Sequence, residues 1–333
     1  MATTMHTLEK WAEIANNISR KLEKERCAHT EASETEELMG STKKRKMIAI
    51  RWYGGKFSHL DWLSPLLPKA YHFCEPFGGS AAVLLNREPS PVETYNDIDG
   101  DVVTFFKVLR DQPEELIEKL LLTPFSREEF KRAFELRGRK DLPDVERARL
   151  FFIRAEQVRI GLAQTSTPGR WAWCKLTSRR GMSGAVSRWL NRIEALWAVA
   201  ERLRRVQIEN RDAVEVIKQY DTPQTFFYLD PPYSHETRGD THAYGYEMSE
   251  KNHEKLSEVL HSIKGKAALS GYLSPFTDKL YNDWTRIDAL VKTAHSVKEL
   301  RRESLWINYS LDEIGEATVK QLEKMGCEFH ARL

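Results

Sequence analysis

The chain of 333 residues has only four cysteines. Cys27, Cys74, Cys174 and Cys327 stand far apart, without the spacing of a zinc site or a disulfide framework. A small cross-linked secreted domain is excluded, and unpaired thiols point to a reducing cytoplasm. No window approaches the ~18 consecutive apolar residues of a membrane-spanning helix. Met1 to Trp11 lacks the apolar stretch of a secretory signal. A G-x-G-x-x-G turn is missing as well, which argues against a dinucleotide and leaves room for a single nucleoside. Excess charge is nearly absent, at +2 overall.

That small net charge hides an uneven distribution. From Pro124 to Val206 there are 19 Lys/Arg against 9 Asp/Glu, so this stretch is basic and the remainder acidic. A basic segment on an otherwise acidic chain suits a polyanion bound in one place. Within it, Gly161 to Arg192 carries Arg170, Lys175, Arg179, Arg180, Arg188 and Arg192 with no acid, interleaved with Trp171, Trp173 and Trp189. Arg170 to Arg180 is expected to form a hairpin able to enter a DNA groove, where arginines meet guanine edges and phosphates. A solvated basic loop over packed tryptophans is the plainer account of the same residues.

Residues 1–46 read as a charged extension. Leu8, Trp11, Ile14, Ile18 and Leu22 recur at helical spacing, and a charged linker follows. From Ile48 the pattern alternates. Strands are expected at Tyr71 to Glu75, Val92 to Asn96, Gln207 to Asn210, Phe226 to Asp230, Lys266 to Ser270 and Leu305 to Tyr309. Helices are expected between most of them. This predicts an α/β fold with a doubly wound, mostly parallel sheet. The alternation breaks between residues 112 and 205. The expected organisation is therefore a core of 47–111 and 206–333, with 112–205 inserted as a mainly helical recognition subdomain.

Three short segments carry the chemistry. Glu75-Pro76-Phe77-Gly78-Gly79-Ser80 joins a strand to a helix, and its glycines let backbone approach a ligand. A Gly-Gly turn also occurs for geometry alone. Asp97, in Asn96-Asp97-Ile98-Asp99, lies about 20 residues further on, where an acid accepts from ribose hydroxyls in doubly wound folds. Asp230-Pro231-Pro232-Tyr233 closes the apolar run Phe226 to Leu229. Upstream, Trp52-Tyr53-Gly54-Gly55-Lys56 offers an indole and a lysine. The loop from Ser234 to Met248 is polar, and its His235 and His242 are read as surface residues, so no metal is expected.

In this order, these four segments resemble the Dam-like class of N6-adenine DNA methyltransferases. Arg302 to Tyr309 is similar to that class's late strand motif, and the resemblance spans about residues 47 to 310. It implies a fold that uses S-adenosylmethionine, with Trp52, Lys56, Asp97 and Asp230 lining the donor site. It implies that Asp230, Pro231, Pro232 and Tyr233 handle a flipped adenine. It also implies double-stranded DNA bound by the basic insertion, and a restriction endonuclease as a partner. The glycines stand adjacent where many members space them apart. Methylation of cytosine N4 or of adenine in RNA, or a silent DNA-binding protein that keeps the fold, are the alternatives. Asp rather than Ser at 230 favours adenine.

Overall fold

The computed structural model describes residues 46–52, 54–159, 167–233, 248–289 and 302–331. The amphipathic helix and linker expected before residue 46, and most of the loop after Tyr233, lie outside the described residues.

Among the described residues, eight strands form one sheet: β1 (His72–Glu75), β2 (Val92–Asn96), β3 (Val206–Glu209), β4 (Thr225–Leu229), β5 (Lys266–Tyr272), β6 (Thr285–Asp288), β7 (Glu303–Ile307) and β8 (Glu328–His330). Their order is β3-β2-β1-β4-β5-β7-β6-β8. The first five are mutually parallel. β7 runs antiparallel to both β5 and β6, and β8 antiparallel to β6. The mostly parallel α/β sheet expected from the alternation is what the chain forms. Its central strands are covered on both faces, so they must be apolar throughout. β1 and β4 are accordingly buried at every position.

Helices α1 (Ala82–Asn86) and α2 (Gly100–Asp111) follow β1 and β2. Asp99 caps α2 by accepting from the Asp101 amide at 2.9 Å. Helices α3 (Pro113–Leu121), α4 (Arg127–Glu135), α5 (Asp144–Glu156), α6 (Gly184–Glu194) and α7 (Leu196–Leu203) then precede β3. Helices α8 (Ala213–Tyr220), α9 (Glu250–Leu260), α10 (Pro275–Leu280) and α11 (Glu316–Lys324) follow it. The helices before β3 share one apolar core with the sheet. Phe152 of α5 stacks on Phe105 of α2 at 5.7 Å, and Trp189 of α6 meets Phe152 at 5.3 Å. Buried Arg154 is held by Asp101 at 2.7 Å and by the Ala133 carbonyl at 2.9 Å.

The hairpin expected over Arg170 to Arg180 sits elsewhere. Its ladder pairs Ser178–Arg179 with Met182–Ser183, and Pro168–Arg170 is a turn of 3-10 helix. The turn residues Arg180 and Gly181 both have positive φ, 52° and 73°. That pair of left-handed residues matches the right-handed twist of two short strands, so it fixes the reversal at 180–181.

Candidate active site

Parallel sheets of this order reverse their winding between two adjacent strands, and the crevice beyond the carboxyl ends there is where ligands bind. In this chain the reversal lies between β1 and β4. A cavity of about 250 Å³ opens at that point, with Trp52, Lys56, Gly78, Gly79, Asp97 and Asp230 among its lining residues.

Its floor is the Gly-Gly turn. A Cβ on Gly78 would stand 2.1 Å from the Tyr95 ring, and one on Gly79 2.6 Å from Trp52 Nε1. Gly79 also has φ of 46°. Both glycines are therefore demanded by packing, and the Trp52 indole lies against the turn. Tyr95 donates its hydroxyl to the Gly79 carbonyl at 2.8 Å. Ala81 is left-handed and offers no side-chain cap to α1. Buried Glu75 supplies the acceptor instead, taking the Leu84 amide at 3.2 Å.

The β2 end forms one wall. Asp97 accepts from the Gly79 amide and from the Asp99 amide, each at 2.8 Å. Burial raises its carboxyl to about 6 against these amides. Asn96 donates to the Pro76 carbonyl at 2.8 Å and to the Arg211 carbonyl at 3.1 Å, and accepts from the Arg211 amide at 2.9 Å. One side chain thus ties together the loops after β1, β2 and β3.

The β4 end forms the opposite wall. Asp230 and Pro232 line the cavity; Pro231 and Tyr233 do not. Lys56, 4% exposed, places Nζ 2.7 Å from Asp230 Oδ1, 3.2 Å from Glu303 Oε1 and 2.7 Å from the Tyr233 hydroxyl. Tyr233 donates to Glu303 Oε1 at 2.6 Å, and its ring packs edge-on against Tyr272 at 4.7 Å. Burial raises the Asp230 carboxyl to about 6; Lys56 opposes that rise and Glu303 adds to it. Burial also holds Glu75 well above the usual carboxylate range. The arrangement can do three things. It can hold a cationic, partly apolar ligand against carboxylates, accept protons or N–H bonds at Asp230, and keep that acid ionised through Lys56.

The family model described as D12 class N6 adenine-specific DNA methyltransferase matches residues 52–302. The chain belongs to that family. This D12-class enzyme is 28% identical over 255 residues to the type II methyltransferase M1.LlaDCHI of Lactococcus lactis subsp. cremoris, covering 70% of this chain and 84% of that protein. It is 25% identical over 298 residues to the type II methyltransferase M.MjaIII of Methanocaldococcus jannaschii, covering 78% and 98%. A DNA adenine methylase of Vibrio cholerae is 32% identical over 78 residues, 23% of this chain and 27% of that protein. It is thus an adenine-specific DNA methyltransferase, as the resemblance implied.

In the D12-class chain the residues assigned to DNA stand apart from the cavity. Arg170, Lys175, Arg179 and Arg180 are all exposed, and none lines it. Lys175 lies over the Trp173 ring at 5.7 Å, and Arg180 donates to Asn191 Oδ1 at 2.9 Å. Trp189 is buried, whereas Trp173 is 52% exposed. Three site residues were not singled out in the sequence: Glu75, Asn96 and Glu303. All three sit inside quoted segments, Glu303 within Arg302 to Tyr309. Glu303 is 70 residues from Tyr233, and only the strand order carries it to the site. Among the described residues no helix is long and apolar enough to cross a membrane.

Proposed function

We propose that the chain transfers a methyl group from S-adenosylmethionine to N6 of an adenine flipped out of double-stranded DNA, with Asp230 as the acceptor of an N6–H. The observation that carries this is a shared cavity: Asp230 and Pro232 face the same space as Asp97, Gly78 and Gly79. The lining fits the donor. Trp52, Phe77, Val83 and Ile98 give apolar surface, while Asp97 and Asp230 give carboxylates toward a positive charge. In this reading Trp52, Lys56, Asp97 and Asp230 hold the donor, which supplies an electrophilic methyl carried on a sulfonium.

The difficult partner is the acceptor, because the N6 lone pair of adenine is delocalised into its ring. Asp230 and the Pro231 carbonyl each accept one N6–H, which draws the nitrogen toward tetrahedral geometry and localises the lone pair. Pro231 and Pro232 fix the backbone that aims this carbonyl. Positioning and electrostatics of this kind can lower a barrier by several kcal/mol. Lys56 keeps Asp230 ionised, and the N6 proton, acidic once the nitrogen has gained the methyl, passes to Asp230 or to solvent. A base inside a duplex cannot reach such a site, and extruding it costs a few kcal/mol. Stacking on an aromatic ring is worth about 1–3 kcal/mol, so the Tyr233 ring, once presented to the base, offsets much of that cost.

Residues 112–205 are read as the target-recognition insertion, with Arg170, Lys175, Arg179 and Arg180 toward DNA and residues 1–46 as an extension. A cytoplasmic setting and a companion restriction endonuclease complete the reading. The former rests on the free Cys74 and Cys174 thiols, the latter on the type II names of two relatives.

The test is transfer of labelled methyl from S-adenosylmethionine to duplex DNA, followed by identification of the modified base. N6-methyladenine is expected, with Asp230→Ala abolishing transfer while leaving DNA binding intact. Near-normal turnover by that variant ends the reading.

A further inference from the structure

Glu303 is a buried acid that the transfer step leaves without a task. It is 6% exposed and stands close to Asp230. Its charge pushes the Asp230 carboxyl upward, which works against an ionised acceptor. A buried carboxylate persists only where other groups satisfy it, so its remaining contacts carry the explanation. They converge on one oxygen. Oε1 accepts from the Tyr233 hydroxyl at 2.6 Å and lies 3.2 Å from Lys56 Nζ.

Strand register explains how the acid arrives there. In the β5–β7 ladder Glu303 stands directly opposite Tyr272, and opposite residues of an antiparallel pair share a face. The Tyr272 ring meets the Tyr233 ring edge-on at 4.7 Å. One strand pair therefore supplies both halves of a socket: a ring that packs against Tyr233 and a carboxylate that takes its hydroxyl proton. Lys56 adds a third side, with Nζ 2.7 Å from the Tyr233 hydroxyl and 5.1 Å from its ring centroid. The hydroxyl also lies 3.2 Å from Asp230 Oδ1. It has one proton to give, and the shorter contact, to Glu303, takes it.

We propose that Glu303 is a positioning residue for methyl transfer: with Tyr272 it seats the Tyr233 ring, so that the flipped base meets its aromatic platform at a fixed angle to Asp230. This rests on the functional reading above and deepens it. A tyrosine side chain has two torsions, and a ring contact on its side with a bond at its tip locks both. A platform locked in advance spares the base the cost of ordering it. An acid placed for its charge would sit where it helps Asp230 ionise, and Glu303 does not.

The experiment measures single-turnover methyl transfer to duplex DNA by the full chain, with saturating S-adenosylmethionine, about two pH units above the Asp230 value of about 6. There Asp230 is ionised with or without Glu303, so charge is removed as a variable and placement remains. Glu303→Ala should slow transfer about tenfold to a hundredfold. Tyr233→Phe keeps the ring, loses the bond and should be slowed by a similar factor. The double variant should be no slower than the slower single, because both remove one contact. Glu303→Gln should stay near the parent rate, since Lys56 and Tyr233 meet the same oxygen and an amide oxygen still accepts from both. Affinity for S-adenosylmethionine, read by calorimetry, should be level throughout. With transfer intact in the parent, a parent-like rate in Glu303→Ala or Tyr233→Phe overturns the positioning role. So do losses that multiply in the double variant, or a glutamine variant as slow as the alanine one. Should Glu303→Ala melt far below the parent, the other two singles decide: a slow Tyr233→Phe beside a near-parent Glu303→Gln supports the role, and any other pairing overturns it. A parent chain that transfers no methyl to DNA overturns the functional reading, and the positioning role with it.

Discussion

Lys56 Nζ stands 2.7 Å from Asp230 Oδ1, and both groups line the same cavity. The lysine comes from the segment before the sheet, the acid from the end of β4, so this contact joins two walls of the site. Its consequence is electrostatic. Burial favours the neutral acid, and Lys56 opposes that.

The first prediction concerns pH. With Asp230 at about 6, turnover should fall as pH drops through 6, because a protonated carboxyl accepts N–H bonds poorly. Removing an opposite charge this close raises a carboxyl by about 1–3 units. Lys56→Met should therefore move the acid limb upward past neutrality. Its kcat at pH 7 drops about tenfold or more and recovers in part by pH 9. Glu303→Gln should do the reverse, since that neighbour raises Asp230, and its amide can still accept from Tyr233. A pair of kcat–pH profiles decides it: limbs that fail to move in opposite directions refute the electrostatic account.

A second prediction joins activity to stability. The folded-state value of Asp230, about 6, exceeds the ordinary 3.8. The folded chain therefore binds the extra proton between those values. Ionisation costs folded-state stability as pH rises through this window, and the cost is fully present above about 6. Asp230→Asn removes it, so this variant should be more stable than the parent at pH 7.5, by on the order of 1–3 kcal/mol. The difference should vanish near pH 4. Denaturant titrations at both values check this, and a variant less stable at pH 7.5 contradicts it.

Glu303 also shows where sequence reading stops. The motifs around Gly78, Asp97 and Asp230 were legible because each closes a strand whose every position is apolar or buried, which gives short runs bounded by turns. β1, β2 and β4 were placed within one residue for that reason. β6 (Thr285–Asp288) and β8 (Glu328–His330) were not legible, because their polar residues are satisfied by one another. Asp288, 2% exposed, accepts from Ser304 at 2.6 Å and pairs with Arg286 at 3.2 Å and His330 at 3.0 Å. Such partners leave no periodic signature. The partner role of Glu303 depends on β7 lying beside β5, a fact of topology. The hairpin was misplaced because non-glycine Arg180 takes a left-handed backbone that its residue type gives little reason to expect.

A third prediction tests the floor of the cavity. The Tyr95 ring is fully buried and hydrogen-bonded to Gly79, so it cannot yield to a methyl group 2.1 Å away. Gly78→Ala should cost about 1–3 kcal/mol, as overpacking does, and weaken donor binding by displacing the turn that also holds Asp97. Gly169→Ala is the control, since its Cβ meets nothing closer than 3.9 Å. Equal midpoints for the two variants in thermal melts would remove Gly78 from the account.

The last prediction separates charge from fold at the basic hairpin. Arg180 holds φ at 52°, a conformation that glycine adopts without penalty and that costs other residues roughly 1–2 kcal/mol. Its guanidinium gives back one bond, to Asn191 at 2.9 Å on an exposed surface, worth about 0.5–1.5 kcal/mol. Arg180→Gly should therefore leave the thermal midpoint level or slightly raised while removing a positive charge. Arg179 lies in the two-residue ladder, exposed, so Arg179→Ala should also be thermally silent. Combining them should weaken DNA binding and reduce the salt slope by up to two phosphate contacts, about 0.9 each. If the double variant binds DNA with the parent's slope, the hairpin does not touch the backbone, and contact must come from elsewhere on the basic segment.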